Sequence, residues 1–178
     1  KNNAMENSNA KWSYDTSNKT LTISGSGAIP NYSDTPSAFT KYNAKLVVTI
    51  INNAKTIVVE NGITSIGEAA FNQCGSLKKI DLPSQLVSIG NRAFGICTAL
   101  KEIVIPESVE IIEQGAFRDC DALKKVVVAN PDCAIYEDEN TMPKSAVLYG
   151  IKDSTADKYA DKYGLDFIGI EIPMVGDV

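Results

Sequence analysis

The chain has 178 residues, 44% of them apolar and 22% charged, a composition ordinary for one globular domain. Its net charge of −5 disfavours a nucleic-acid partner, because phosphate binding needs a basic footprint. It contains no histidine, which removes the usual general base, the common proton switch and the commonest metal ligand. Residues 1–10 are polar and Asn-rich, and read as a flexible linker or an expression remnant. No secretory leader is visible there, an absence that does not argue for the cytosol. The longest apolar run, Leu46 to Ile51, is far too short for a membrane span. An N-terminal cap over 11–53 follows, in which Trp12, Tyr14, Leu21 and Ile23 flank the polar Asp15 to Lys19 as a β-hairpin. Pro30 to Lys45 reads as irregular.

Residues 54–149 repeat with a period of 23. IGEAAFNQCGSLKKIDLP from Ile66 becomes IGNRAFGICTALKEIVIP from Ile89 and IEQGAFRDCDALKKVVVA from Ile112. A fixed period of this length marks a solenoid, whose units bury their apolar faces only by stacking. The columns Ile57, Ile80, Ile103, Val126 and Val59, Leu82, Ile105, Val128 alternate around an outward residue, as in a strand with one buried face. Further columns are Ile63, Leu86, Val109 and Ile66, Ile89, Ile112, Ile135. Four more are Ala70, Ala93, Ala116; Phe71, Phe94, Phe117; Cys74, Cys97, Cys120; and Leu77, Leu100, Leu123. Ile66, Ala70 and Cys74 are spaced i, i+4, i+8, one stripe of a short helix or 3₁₀ stretch, so each unit reads as a short parallel strand, a turn at Pro83 or Pro106 and a helical return. Ser65 with Glu68 has the capping-box spacing to start the first return. A fourth unit fades after Ile135, with Asn140 in the Phe column and Pro143 in the Cys column. A C-terminal cap over 150–170 holds a helix N-capped by Ser154 or Asp153 and stopped by Gly164, then a last strand from Leu165 to Ile170. A tail, 171–178, ends the chain.

The unit LxxIxLPxxLxxIGxxAFxxC, from Leu77 to Cys97, resembles the bacterial BspA-like, or Treponema-type, leucine-rich repeat. The match covers roughly Ile57 to Val128, and both Trp12 to Tyr32 and Asp153 to Phe167 are similar to that family's flanking segments. The resemblance implies a right-handed leucine-rich-repeat solenoid, α/β in class, with a parallel sheet of short strands. It further implies a secreted or surface-attached bacterial protein, in a family associated with adhesion to host matrix proteins or other cells. The family has no shared catalytic or ligand motif, so no functional residue is carried over from it. The third unit departs from the pattern: the glycine of IGxxAF is replaced by Glu113 and reappears as Gly115, which predicts a different bend there.

Three features carry candidate chemistry. Cys74, Cys97 and Cys120 share one column, where a small apolar thiol fills a tight layer. A disulfide between layers about 4.8 Å apart is geometrically allowed, whereas zinc lacks a tetrahedral set, and Cys133 lies outside the column as the likelier free thiol. Lys55, Lys78, Lys101 and Lys124 form a second column, either a solvated edge or a basic strip for an acidic glycan or anionic protein patch. Stacked at about 5 Å in water, such charges repel by only about 1 kcal/mol. The third feature is the outward strand face of Thr56, Val58, Lys79, Asp81, Glu102, Val104, Lys125 and Val127, expected to form the concave binding surface. In it Lys79, Glu102 and Lys125 alternate in sign, which favours mutual pairing, and Asp81 interrupts a valine strip. Glu137, Asp138 and Glu139 lack the spacing of a Ca²⁺ loop and read as a solvated turn. Trp12 covers the first layer or stacks on a sugar, and the sequons at Asn18 and Asn31 matter only in a eukaryotic secretory pathway.

The expected function is therefore an extracellular or cell-surface binding module for a host or neighbouring-cell protein or glycan. The alternative is a structural spacer in a larger protein, with the tail as a link to a neighbouring domain. No nucleic acid, cofactor, metal or catalytic residue is expected, and neither the ligand nor the oligomeric state is readable.

Overall fold

The computed structural model describes residues 3–5, 8–32, 50 and 52–171. The expected irregular segment after Pro30 and the tail after Glu171 lie mostly outside these residues. A hairpin of two antiparallel strands forms the N-terminal cap, β2 (Asn9–Asp15) and β3 (Thr20–Ile29), with Trp12 opposite Ile23 and Tyr14 opposite Leu21. The hairpin is as expected, and Trp12 is buried in its core, so its ring is closed to a sugar. Residues 3–5 and 8–10 are more than linker. β1 (Asn3–Ala4) pairs antiparallel with β2, and Met5 and Ala10 are buried, because an apolar side chain on an edge rung extends the cap.

Each 23-residue unit then makes one coil of two strands at different sides of a shared core. The first stack holds β4 (Thr56–Val59), β6 (Lys79–Asp81), β8 (Glu102–Ile105), β10 (Lys125–Val128), β12 (Val147–Gly150) and β13 (Asp166–Gly169). The second holds β5 (Ile63–Ile66), β7 (Ser88–Ile89), β9 (Ile111–Ile112) and β11 (Ala134–Ile135). β3 heads both: Thr20 to Ile23 pair with β4, and Gly27 to Ile29 pair with β5 across a register shift. The hairpin thus serves as a template rung for the whole array. Register follows the predicted columns, with Ile57 on Ile80, Ile103 on Val126, and Ile66, Ile89, Ile112 and Ile135 in line. The first stack is not continuous, since no ladder joins β6 to β8 and β8, β10, β12 and β13 form a separate four-stranded sheet.

The expected helical return is a bend made of consecutive turns. Ala69, Gln73, Arg92, Ile96 and Asp119 all have left-handed backbone, with φ between 52° and 66°. These residues swing alternate N–H groups out of the chain's own turn and toward the next coil. Phe71 N donates to Ala93 O at 2.8 Å, Gln73 N to Gly95 O at 2.7 Å, and Phe94 N to Ala116 O at 2.9 Å. A helix would have used those donors internally. Ser65 accordingly lies in β5 and caps nothing. Inside the bend, Phe71, Phe94 and Phe117 stack with ring centroids 5.5 Å apart, each pair contributing about 0.5–1.5 kcal/mol beyond burial.

Gly115 leaves the third bend unchanged, contrary to the expectation of a different bend. It falls in the column of Ala69 and Arg92 and takes the same left-handed φ, 65°. Ala116 N still donates to Glu113 O at 3.3 Å, as Ala93 N does to Gly90 O at 3.1 Å. In the fourth coil, Asn140 does not fill the Phe column. Phe117 N bonds Thr141 O, 24 residues on rather than 22, so buried Met142 takes the place of the ring. The cap helix α1 (Thr155–Tyr163) starts at Ser154, whose Oγ accepts from Asp157 N, and ends at left-handed Gly164. It buries Ala156, Tyr159 and Ala160 before β13 runs parallel to β12.

Candidate interaction surfaces

The first stack presents its outward residues in ladder register. Thr56 meets Lys79 and Val58 meets Asp81; across the break, Glu102 meets Lys125 and Val104 meets Val127. Lys79, Asp81, Glu102, Val104 and Lys125 are exposed, and Thr56, Val58 and Val127 are half-buried. The pairing of alternating charges is not what forms. Lys79 Nζ lies 3.9 Å from Asp81 on its own strand, and Lys125 Nζ sits 4.9 Å from the centroid of the Tyr149 ring. Two charges of the first half thereby neutralise each other, while Lys125 is drawn toward the cap.

Two residues of this face escape a search at 23-residue steps. β12 pairs with β10 at a step of 22, putting Tyr149 beside Val127, and β13 then puts Ile168 beside Tyr149. Val104, Val127, Tyr149 and Ile168 consequently form one unbroken row across four hydrogen-bonded strands. Val104 is 60% exposed and Ile168 47%, so the row is a solvent-facing apolar strip. Counting 23 from Val127 points instead to Gly150, which faces the core.

The lysine column stands just before these strands. Lys78 N donates to Lys55 O and Lys124 N to Lys101 O, both at 2.9 Å, so the column keeps register on either side of the break. All four side chains are exposed and have no ion pair among the described residues.

The cysteines are interior. All four are free and buried, Cys133 included, because the shifted register puts it where Ile63, Leu86 and Val109 lie in earlier coils. Cys97 Sγ donates to Phe71 O at 3.4 Å and Cys120 Sγ to Phe94 O at 2.9 Å, tying each bend to the one before it. Burial pushes the thiols of Cys74 and Cys133 up to about 12, so neither is a poised nucleophile. The acidic run is dispersed: Glu137 pairs with Lys162 at 2.9 Å, Glu139 pairs with Lys144 at 3.3 Å, and Asp138 accepts from Asn140 N at 2.8 Å. No group of carboxylates or thiols fit for a metal ion occurs among the described residues. No described helix is long and apolar enough to cross a membrane.

A two-stranded coil stacked through a Phe–Cys bend defines a leucine-rich-repeat solenoid. The sequence profile of the BspA type leucine rich repeat region (6 copies) matches residues 49–138, and the chain belongs to that family. No curated protein sequence matches it. Among solved structures it is similar to a T. pallidum leucine rich repeat protein, TpLRR, at 20% identity and a TM-score of 0.51, over 78% of this chain and 67% of that one. A leucine-rich repeat protein from Eubacterium ventriosum shares 22% identity with a TM-score of 0.55, over 82% of this chain and 43% of that one. The pneumococcal vaccine antigen PcpA shares 19% identity with a TM-score of 0.51, over 82% of this chain and 42% of that one. The chain thus spans less than half the length of the last two, and all three likenesses concern the fold.

Proposed function

We propose that the chain is an extracellular or cell-surface binding module that docks a host or neighbouring-cell protein along β8, β10, β12 and β13. The observation that carries this reading is the strip Val104, Val127, Tyr149 and Ile168, an apolar row whose two ends, Val104 and Ile168, are exposed and whose middle is half-buried. Buried under a partner, such side chains contribute roughly 25 cal/mol per Å² of apolar area, and an aromatic such as Tyr149 commonly anchors an interface. The row beside it, Glu102, Lys125, Val147 and Asp166, supplies charges of both signs for orientation. Family membership supports a repeat-based interaction module, and the likeness to a vaccine antigen is in keeping with surface display.

The test is a binding screen against extracellular-matrix proteins and glycans, run with Val104→Glu/Ile168→Glu and with Lys79, Lys101 and Lys125 reversed to Glu. Binding that falls at least about tenfold in the double variant supports the strip, that being one lost buried contact of about 1.4 kcal/mol or more. Loss only in the lysine reversals moves the site from the apolar strip to the lysines of the strand face and of the column beside it. Binding untouched by either set removes the whole strand face as the site.

A further inference from the structure

The outer side of the Phe–Cys bend carries a pattern that stacking does not require. The chain has only two arginines, Arg92 and Arg118, and both line one cleft of about 330 Å³. Arg92 stands in the column of Ala69 and Gly115, and Arg118 in that of Asn72 and Gly95. On two adjacent coils the arginines therefore occupy one diagonal and the glycines the other. A Cβ on Gly115 would lie 3.4 Å from Arg92 Cγ and 3.7 Å from Arg118 Cβ, so both stems flank that glycine. A Cβ on Gly95 would meet Asn72 Oδ1 at 2.6 Å, so the absence of a side chain there makes room for Asn72 at the opposite corner.

The electrostatics are asymmetric. Arg118 Nε lies 3.5 Å from Asp119, which orients its guanidinium and offsets one of the two charges. Arg92 has neither an ion pair nor a side-chain hydrogen bond among the described residues. An uncompensated arginine beside an oriented one is a fork for a carboxylate, whose two oxygens match guanidinium geometry. Asp119 on the same wall repels a dianion and so disfavours phosphate. Asn72, Gln73 and Gly95 complete the lining with Ile96, its one large apolar side chain, 40% exposed and held at φ 57° by its N–H bond to Arg118 O at 2.7 Å. A β-branched residue in this conformation costs about 1–2 kcal/mol, and exposed isoleucine recovers little of that by burial.

We propose that this cleft binds an acidic segment of a protein partner, with a carboxylate on Arg92 and Arg118 and the adjoining apolar side chain on Ile96. The site is separate from the strand face and stands or falls independently of it.

Selective ¹⁵N-arginine labelling yields two guanidinium Nε–Hε signals, one per arginine, and these report on the cleft directly. Titration with acetyl-Glu-Leu-Glu-Leu-amide at constant ionic strength should shift both signals along one saturating curve. The Gln-Leu-Gln-Leu counterpart should shift neither. Arg92→Gln should weaken binding at least about tenfold, the loss of a charge-assisted hydrogen bond, and Ile96→Asn should weaken it less. Val104→Glu, on the strand face, should leave it intact. Shifts that never saturate, an equal response to the neutral peptide, or full affinity in Arg92→Gln would overturn the assignment. So would tighter binding of inorganic phosphate or glucuronate than of the acidic peptide.

Discussion

The three faithful coils and the fourth obey one hydrogen-bonding requirement by different means. In the faithful coils each bend has a like bend on the next coil, so Phe71 N finds Ala93 O and Phe94 N finds Ala116 O. The fourth coil has such a neighbour on one side only, and on the other it meets α1. There the Tyr159 hydroxyl replaces the missing coil, accepting from Met142 N at 3.2 Å and donating to Asp138 O at 2.6 Å. Thr141 Oγ1 meanwhile accepts from Gly115 N. Repetition is thus a consequence of having identical neighbours. Where the neighbour changes, the residues change with it.

Five substitutions separate the two regimes. The largest effect is expected from Phe94→Ala, which empties the middle of the ring stack and should cost about 3–5 kcal/mol in a urea unfolding experiment. Met142→Ala, in the same column but at its end, should cost less than that, and an equal or greater cost would mean the fourth coil is as central as the others. Next is Gly90→Ala, whose new Cβ would lie 2.7 Å from Gly67 C, backbone that must shift at about 1–3 kcal/mol. Glu113→Ala occupies the same column one coil on and should change stability by under about 0.5 kcal/mol. Comparable to or below the Gly90 effect is Tyr159→Phe, which leaves Met142 N and Asp138 O without the hydroxyl, at about 1–2 kcal/mol. If it proves neutral, the hydroxyl does not substitute for a coil.

Near neutral pH the expected effect is smallest of all, because no histidine titrates there. In alkali the sign is set by upward shifts. Burial raises Cys74 and Cys133 from 9.0 to about 12 and Tyr159 from 10.0 to about 12. The unfolded chain loses these protons first, so their stabilisation is complete below about pH 9 and drains away as pH approaches 12. Urea midpoints measured from pH 6 upward should be level and then fall. Replacing Tyr159 by Phe should remove part of the fall.

The strand columns were legible because inward and outward residues alternate and every coil repeats the alternation, as Ile80 and Leu82 do around Asp81. The bend was misread because Ile66, Ala70 and Cys74 carry helical spacing. Nothing about Ala69, Gln73, Arg92 or Ile96 announces left-handed backbone, which the coil-to-coil bonds impose. The fourth coil escaped because the step lengthens to 24 at Thr141 and shortens to 22 at β12. That drift also hid Tyr149 and Ile168 from the expected face, and with them the better half of the candidate site. The two arginines were visible as residues, but only the stacking of coils brings them to one cleft.

The most direct test of the strand-face reading compares side chains on the two sides of the same strands. With methyl-labelled isoleucine and valine, cross-saturation from a partner recovered in the binding screen should attenuate Val104, Val127 and Ile168. It should spare Ile103 and Val126, which point inward from β8 and β10. Attenuation confined instead to methyls outside this row, such as Val58 or Val87, would contradict the account.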